Sequence, residues 1–378
     1  MKKFAKMSLV AALAVAGTAA SAQPLAEAIK NVDVSGTVAY RYNDYEDQAA
    51  GAKVDNDSSS ATNNYKIALN LKSKVNDDVT ANTRFIIGAD TDAASLGTSE
   101  DGDVNVDVKL SEVNFTYTGV EGLAVTVGKQ GIATPWTVAR DAMGDEQTGT
   151  GILAQYSAGP VTLVGAYFNQ TNFNVAETAL GDGSENIYVL GGVASFAGIT
   201  LDAFYADLQD IFDTYTIGLA ASYDISDVNL APFARYSSLD LDNSSADNVL
   251  WQLGLTAKLG MFTGFVAYGE SDKDGGLVYV DSGAATNMDY HWRVTADGSA
   301  DTEYLYVHAD ADVTDKVNVG IYYSEADYKK ADDVSEVYAQ VGYQMSKNLS
   351  TYVRIGDLDV DNSDEDGSMG RVHVQYSF

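Results

Sequence analysis

Arg371-Val-His-Val-Gln-Tyr-Ser-Phe378 ends the chain, with apolar residues at every second position. Val372, Val374, Tyr376 and Phe378 therefore leave one face of an extended strand, and the polar side chains leave the other. This pattern is typical of the closing strand of a bacterial outer-membrane barrel, which faces lipid on one side and a wet lumen on the other. Tyr376 and Phe378 also match the aromatic assembly signal of that class. The stretch predicts a transmembrane β-barrel.

The start of the chain predicts export. Lys2, Lys3 and Lys6 precede an apolar run over residues 7–20, and Ala20-Ser-Ala22 has the small residues of a cleavage site. We therefore expect a signal peptide over residues 1–22 and a single transmembrane barrel domain over residues 23–378. The expected location is the bacterial outer membrane, reached through the periplasm.

The composition agrees with a barrel and excludes several other classes. The chain has no cysteine and only four prolines, but it has 34 glycines and 24 tyrosines. Long strands with aromatic girdles are expected from such a composition, whereas a disulfide scaffold is excluded. The net charge of −31 makes nucleic acid an unsuitable partner, because its phosphates would be repelled.

A period of two recurs along the chain and predicts about eighteen strands, with sixteen as the alternative. They are expected near residues 32–44, 63–74, 79–90, 104–118, 123–129, 151–158, 161–169, 186–197, 199–208, 214–224, 228–238, 248–259, 261–271, 302–313, 316–326, 335–346, 349–360 and 368–378. Pro232 lies inside one of them, where we expect a bulge or a misplaced boundary, because proline lacks the N–H that a ladder needs.

The connections between these strands alternate in length. Tight polar turns such as Val75-Asn-Asp-Asp78 and Gly119-Val-Glu-Gly122 alternate with long segments over residues 45–62, 91–103, 130–150, 170–185 and 272–301. Outer-membrane barrels have short turns on the periplasmic rim and long loops on the extracellular rim. An even strand number would place both chain ends on the periplasmic rim.

Three segments resemble the major outer-membrane porin of Campylobacter and its relatives. They are Pro24-Leu-Ala-Glu-Ala-Ile-Lys-Asn-Val-Asp-Val-Ser-Gly36, Gly128-Lys-Gln-Gly-Ile-Ala-Thr-Pro-Trp-Thr137 and the last strand. The resemblance covers about a quarter of the chain at the level of motifs. It implies an eighteen-stranded, homotrimeric, cation-preferring porin that is able to bind calcium.

Catalytic and metal sites have little support in the sequence. His291, His308 and His373 are far apart, and no local pattern marks a nucleophile with its base, so we predict no enzymatic activity. Asn362-Ser-Asp-Glu-Asp-Gly367 begins like a calcium loop but lacks the final glutamate. Segments 272–275 and 55–57 are similarly acidic, and a solvated loop is the simpler explanation for each. No cofactor is required, calcium stays open, and the metal ligands are unknown.

The third long segment carries the candidate constriction. In trimeric porins the loop at this place folds into the barrel and narrows the channel, whereas the alternative is an exposed surface loop. Alternation places four arginines on the lumen side of predicted strands one, three, seventeen and eighteen, and closure brings these strands together. The expected constriction consists of Arg41, Arg84, Arg354 and Arg371 on the wall, with Arg140, Asp141, Asp145 and Glu146 on the loop.

These observations predict a passive diffusion channel for small hydrophilic solutes and cations. The loop acids would face the wall arginines and create a transverse field, unless wall acids such as Asp202 balance each arginine locally. Cation preference is expected because acids far outnumber bases. The expected partners are outer-membrane lipid, lipopolysaccharide and two further copies of the chain. The alternative is a structural or adhesive barrel with acidic ligand-binding loops.

Overall fold

The computed structural model describes residues 32–45, 60–89, 92–97, 107–176, 178–361 and 367–378, and almost all of its regular structure is strand. The strands are β1 (Val32–Tyr45), β2 (Ser60–Lys74), β3 (Val79–Gly88), β4 (Ala94–Ser95), β5 (Asp107–Val120), β6 (Leu123–Gly131), β7 (Thr148–Ala158), β8 (Val161–Thr171), β9 (Ile187–Phe196), β10 (Ile199–Leu208), β11 (Phe212–Ala221), β12 (Tyr223–Ile225), β13 (Val228–Leu241), β14 (Asp247–Leu259), β15 (Phe262–Ser271), β16 (Thr302–Thr314), β17 (Val317–Tyr328), β18 (Val334–Gln344), β19 (Leu349–Val360) and β20 (Gly367–Ser377). A 3₁₀ turn covers Phe173–Val175. No helix in the described ranges has the length and apolarity to cross a membrane.

The strands form one closed, antiparallel, eighteen-stranded barrel. Two of the eighteen are interrupted: β3 and β4 both pair with β2 and form one strand of the barrel, and β11 and β12 both pair with β13 and form another. The sequence prediction of eighteen rather than sixteen is confirmed. The interruption between β11 and β12 lies opposite Pro232 of β13. The register of pairing with β13 is the same before and after this interruption. The expectation of a bulge or misplaced boundary there is wrong, because the missing N–H interrupts only the local hydrogen bonding.

Closure of the barrel joins the two ends of the described sheet. Strand β1 pairs with β20, and the backbone groups of Gly36 and Phe378 exchange hydrogen bonds of 2.9 and 3.0 Å. A Cβ atom at Gly36 would clash with the carbonyl oxygen of Ala68 and lie 2.9 Å from the Phe378 ring. The rings of Tyr376 and Phe378 stack at 5.7 Å on the outer face of this seam.

Alternation along the strands separates a lipid face from a lumen face. On β19, Val353 is 40% exposed and Ile355 is 68% exposed, whereas Leu358 on the opposite face is buried. Apolar side chains exposed on a closed barrel are the surface that a bilayer solvates. The inward faces are filled unevenly around the circumference, and this unevenness positions the candidate site.

An apolar core occupies one side of the lumen. We call the inner faces of β8–β11 and β13–β17 the filled arc, because three long segments pack against them. The wall contributes Phe168, Ile187, Val189, Ala206, Leu208, Phe212, Leu239, Leu250, Ala267, Tyr304, Tyr306 and Ala326, and the segments contribute Ile132, Trp136, Phe173, Ala176, Leu180, Val278, Val280, Met288, Val294 and Ala296. The inner faces of β18, β19, β20 and β1 form the arginine arc, which carries Arg354, Arg371 and Arg41. The predicted inward folding of the third loop is confirmed.

Candidate channel constriction

The third loop, residues 132–147, returns on itself inside the barrel. The Ile132 N–H donates to the carbonyl of Gln147 at 2.8 Å, and the Gln147 N–H donates to the carbonyl of Val138 at 2.9 Å. The Gln147 side-chain oxygen accepts from the Val138 N–H at 2.6 Å. Trp136 is 2% exposed at the far end of this fold. These bonds satisfy backbone groups that would otherwise be buried without partners.

A buried ionic cluster ties the loop to the wall. Glu146, which is 1% exposed, pairs with Lys66 of β2 at 3.2 Å and with Arg84 of β3, whose Nε lies 2.9 Å from its carboxylate. Lys66 also donates to the loop carbonyls of Asp141 and Gly144 at 3.1 and 2.8 Å. Two cations around one carboxylate leave a local charge of +1 out of contact with water. The cluster therefore fixes the loop, and Arg84 and Glu146 neutralise each other away from the open lumen.

A second long segment, residues 272–301, also lies inside the barrel and meets the third loop there. The Val280 N–H donates to the Trp136 carbonyl at 2.9 Å, and the Thr286 N–H donates to the Pro135 carbonyl at 3.0 Å. The Gln147 side-chain N–H donates to the Asp281 carboxylate at 2.7 Å. These hydrogen bonds join the two segments inside the barrel.

Polar side chains of the wall hold segment 272–301 by its backbone. Tyr306 of β16 donates its hydroxyl to the carbonyls of Met288 and Val294, at 2.8 and 3.1 Å. Gln252 of β14 donates to the carbonyls of residues 285, 286 and 287 at 3.2 to 3.3 Å. Both wall residues are buried beneath the segment and direct their hydrogen bonds to its backbone. These hydrogen bonds from wall side chains therefore stabilise the docked position of segment 272–301.

Glu336 of β18 holds the tip of the same segment. Its carboxylate, 1% exposed, accepts from the backbone N–H groups of Trp292 and Arg293 at 3.0 and 2.9 Å. It also accepts the Ser324 hydroxyl at 2.7 Å. Three hydrogen bonds to one carboxylate are charge-assisted and stronger than neutral ones. They place the Trp292 indole against the arginine arc.

Two of the three histidines belong to this docking. The ring of His291 lies 2.9 Å from the Ser324 hydroxyl and 3.1 Å from the ring of His308 on β16. Burial, together with the charges of His308 and Arg354, lowers the pKa of His291 to about 3. The neutral ring is therefore the form that docks. His373 lies elsewhere, on the inner face of β20, where it stacks on Tyr352.

The arginine arc brings three of the predicted arginines together. Arg354 and Arg371 are directly opposite each other on β19 and β20, and Arg41 is opposite His373 on the next strand pair. Arg354 donates to Gln340 at 2.7 Å, and Arg371 donates to Asn43 at 2.7 Å and to the Tyr45 hydroxyl at 2.9 Å. Arg235 on the filled arc, which the sequence reasoning did not name, instead makes a bidentate pair with Asp202 at 2.9 and 3.0 Å.

The four predicted charged residues of the third loop differ in burial and in their partners. Arg140 pairs with Glu112 of β5, and Glu146 belongs to the buried cluster. Asp141 is exposed and close enough to Arg41 to interact with it electrostatically, although one carboxylate oxygen accepts the Met143 N–H at 2.6 Å. Asp145 is half-buried. Asp141 is thus the acid best placed to face the arginine arc.

Sequence reasoning missed the inward course of segment 272–301, and with it Trp292, Glu336 and Gln252. A signal was available, because the segment contains Val278, Val280 and Met288, which an exposed loop would leave in water. The wall partners carried no such signal. A glutamate or glutamine on the lumen face of a strand has the same local pattern whether it binds a loop or water.

The candidate calcium segments give no metal centre in the described ranges, where no three His, Cys, Asp or Glu side chains converge to hold an ion. In segment 272–275, the Asp272 carboxylate accepts the Asp274 N–H at 3.1 Å, and Lys273 pairs with Asp274. Residues 55–57 and 362–366 lie outside the described residues, so the structure does not test them.

A closed eighteen-stranded barrel with an apolar outer face and inward-folded loops defines an outer-membrane porin. The fold is that of a channel rather than of an enzyme. The chain belongs to the Campylobacter major outer membrane protein family, whose model matches residues 1–378. The resemblance noted in the sequence and the outer-membrane location are therefore confirmed. A comparison with curated proteins finds no match.

Solved porin structures share the fold. The BenF-like porin of Pseudomonas fluorescens Pf-5 is 15% identical with a TM-score of 0.74, covering 92% of this chain and 99% of that one. OpdK of Pseudomonas aeruginosa, crystallised with vanillate, is 14% identical with a TM-score of 0.72 and coverages of 92% and 98%. OccAB3 of Acinetobacter baumannii is 14% identical with a TM-score of 0.72 and coverages of 92% and 99%. At these identities the likeness concerns the fold.

Proposed function

We propose that this porin is a passive diffusion channel for small hydrophilic solutes with a preference for cations. The proposal is supported by an excess of acids, 54 against 23 lysines and arginines. Fixed negative charge at a channel mouth raises the local concentration of cations and lowers that of anions. The preference for cations over anions should weaken in concentrated salt, because the distance over which the fixed charges act falls to ~3 Å at 1 M.

An acidic collar on the long-loop rim is the observation that best supports this preference. Carboxylates face each other across successive strand pairs, a placement that destabilises the sheet unless cations gather there. The opposed pairs are Asp207 with Asp213, Asp213 with Asp240, Asp240 with Asp247, Glu270 with Glu303, and Glu303 with Asp327. These acids alternate with inward, buried residues such as Leu208, Leu239 and Tyr304, so this acidic collar lies on the outer face of strands β10–β17 near the long-loop rim. Its negative potential attracts cations toward this rim.

Inside the barrel, we propose a transverse field between the arginine arc and Asp141. The arginines stand on one side of the passage, and the exposed Asp141 carboxylate lies on the loop that bounds it. Asp145 adds to the acidic side, while the buried cluster of Lys66, Arg84 and Glu146 carries a net charge of +1 behind the loop. Such a field orients dipolar solutes and disfavours apolar ones.

Assembly and export complete the proposal. We assign residues 1–22 to a cleaved signal peptide and the mature chain to a homotrimer, with the Gly- and Ala-containing strands β9 and β11 as candidate contacts. Tyr376 and Phe378 serve as the assembly signal. No cofactor is required, and calcium would act as a bridge between surface carboxylates and lipopolysaccharide phosphates.

Planar-bilayer recording in a KCl gradient tests the function. We expect conductance steps and a reversal potential of the cation-preferring sign, smaller in an Asp213→Asn, Asp240→Asn, Asp247→Asn variant. An Asp141→Asn, Asp145→Asn variant tests the inner field separately. Anion preference in the unmodified protein would contradict the proposal. A barrel without conductance steps would favour the structural or adhesive alternative, which gains support from the apolar core inside the lumen.

A further inference from the structure

The arginine arc concentrates positive charge without a matching carboxylate. Among the residues that the structure describes, no acid lies within 4.0 Å of the guanidinium nitrogens of Arg41, Arg354 or Arg371. Like charges directly opposite on neighbouring strands, as in Arg354 and Arg371, destabilise a sheet. Arg235 on the filled arc shows that this barrel can supply a carboxylate to a lumen arginine. The arginines of the arc therefore differ from Arg235 in having no carboxylate partner.

Two buried donors of this region also lack acceptors. The Nε of Arg41 and the indole Nε1 of Trp292 are shielded from solvent and find no hydrogen-bond partner among the described residues. Trp292 is 7% exposed. Leaving a buried polar group unpaired is costly. The unpaired N–H groups of Arg41 and Trp292 add to the positive electrostatic potential around the arginines.

Aromatic rings hold the guanidinium groups in place. The Arg354 guanidinium lies 4.9 Å from the Tyr352 ring centre, 5.2 Å from that of Tyr338 and 5.7 Å from that of Trp292. The Arg371 guanidinium lies 5.2 Å from the Trp292 ring centre. Contacts on the flat faces lower the cost of gathering the cations and leave the in-plane N–H groups as the remaining donors. Planar donors match the two oxygens of a carboxylate.

We infer that Arg41, Arg354 and Arg371 form a binding site for the carboxylate group of small organic solutes at the constriction. The inference deepens the channel function proposed above, since it names a solute class for the same passage. The large excess of acids over bases favours cations overall, whereas a carboxylate is retained at the arc. Asp141 on the facing loop would favour a solute that also carries an ammonium group.

Succinate and its uncharged isostere succinamide test the site in single-channel recordings. We expect succinate to interrupt the KCl current in a concentration-dependent way, and succinamide to leave it unchanged. Arg354→Gln and Arg371→Gln should each raise the succinate concentration for half-block by about tenfold or more, because a charge-assisted pair is lost. Arg354→Lys should be intermediate, since it keeps the charge but not the fork.

Arg235→Gln is the matched control, because it removes a lumen arginine that already has a carboxylate. It should leave the succinate block unchanged. A purely structural role for the arc would alter heat-dependent gel mobility without changing the ratio of succinate to succinamide block. Equal block by both compounds, or block by inorganic phosphate as strong as by succinate, would overturn the assignment. The reversal potential in KCl is recorded separately, so a failure of cation preference would not be mistaken for a failure of this site.

Discussion

The filled arc and the arginine arc are built from the same alternating strands, yet their inner faces differ in charge and in the extent of the apolar core. On the filled arc, wall residues such as Leu239 and Tyr306 are completely buried beneath the inward segments. On the arginine arc, the wall carries Arg41, Arg354 and Arg371, and its aromatic cover comes from Trp292. The inward segments therefore take up mainly the filled-arc side of the lumen.

The comparison shows how one barrel provides both stability and selection. Apolar burial on the filled arc stabilises the inward segments by roughly 25 cal/mol per Å² removed from water. The arginine arc has a smaller apolar cluster, in which Trp292 packs with Tyr338, Leu358 and Met369 beside the charged guanidinium groups. Most contacts that fix the segments lie on the filled arc, and Trp292 belongs both to the docking of segment 272–301 and to the arginine arc.

The largest expected effect comes from removing the carboxylate that anchors the third loop. Glu146→Ala leaves Lys66 and Arg84 buried beside each other, which should destabilise the protein by about 3–5 kcal/mol. We expect a lower temperature for the heat-dependent mobility shift and a larger, noisier conductance. Replacing all three residues, as Lys66→Met, Arg84→Met and Glu146→Leu, should restore much of the loss. An unchanged mobility transition in Glu146→Ala would show that the cluster does not anchor the loop.

Release of segment 272–301 should have the next largest effect. Glu336→Ala removes the acceptor of two backbone N–H groups, and losing hydrogen bonds to a charged group costs about 1.5–3 kcal/mol. We expect faster proteolysis within the segment and a higher single-channel conductance. Glu325→Ala on the outer face of β17 is the control and should change neither. Equal rates of proteolysis in Glu336→Ala and Glu325→Ala would show that the apolar core alone holds the segment in place.

Acid should weaken the docking of segment 272–301 through His291. Its folded pKa of about 3 lies below the ordinary 6.5, so an undocked segment binds the proton more readily. The stabilising contribution is complete above pH 6.5 and is lost progressively as the pH falls toward 3, by about tenfold in the docking equilibrium per unit. Proteolysis at pH 7 and pH 4.5 measures the change. His291→Gln should reduce the pH dependence, and an undiminished dependence would assign it to other groups.

The smallest effect should come from the balanced pair on the filled arc. Asp202→Asn with Arg235→Gln changes no net charge, so the reversal potential in KCl should stay within experimental scatter. Arg354→Gln, which removes an unbalanced charge, should shift it further toward cations. Equal shifts in the two variants would mean that the arcs do not differ in their influence on permeating ions.

Local pattern allowed much of this architecture to be predicted. Alternation at Val372, Val374 and Tyr376 predicted a closing strand, and the rhythm of turns and long loops predicted eighteen barrel strands, as observed. The adjacency of Arg354, Arg371 and Arg41 also followed, because strand order and barrel closure fix which lumen positions are neighbours. These features depend on period-two geometry and on connections between sequential strands.

The sequence by itself determined the barrel, its strand number and the lumen side of each arginine. Only the tertiary structure decided that Glu146 joins Lys66 and Arg84, and that Glu336 holds the backbone at Trp292 and Arg293. Alternation along a strand shows whether a side chain points to the lumen or to the lipid, and paired strands have the same two faces. Contact across the lumen depends on how two long segments pack together inside the closed barrel, and no local pattern records that packing.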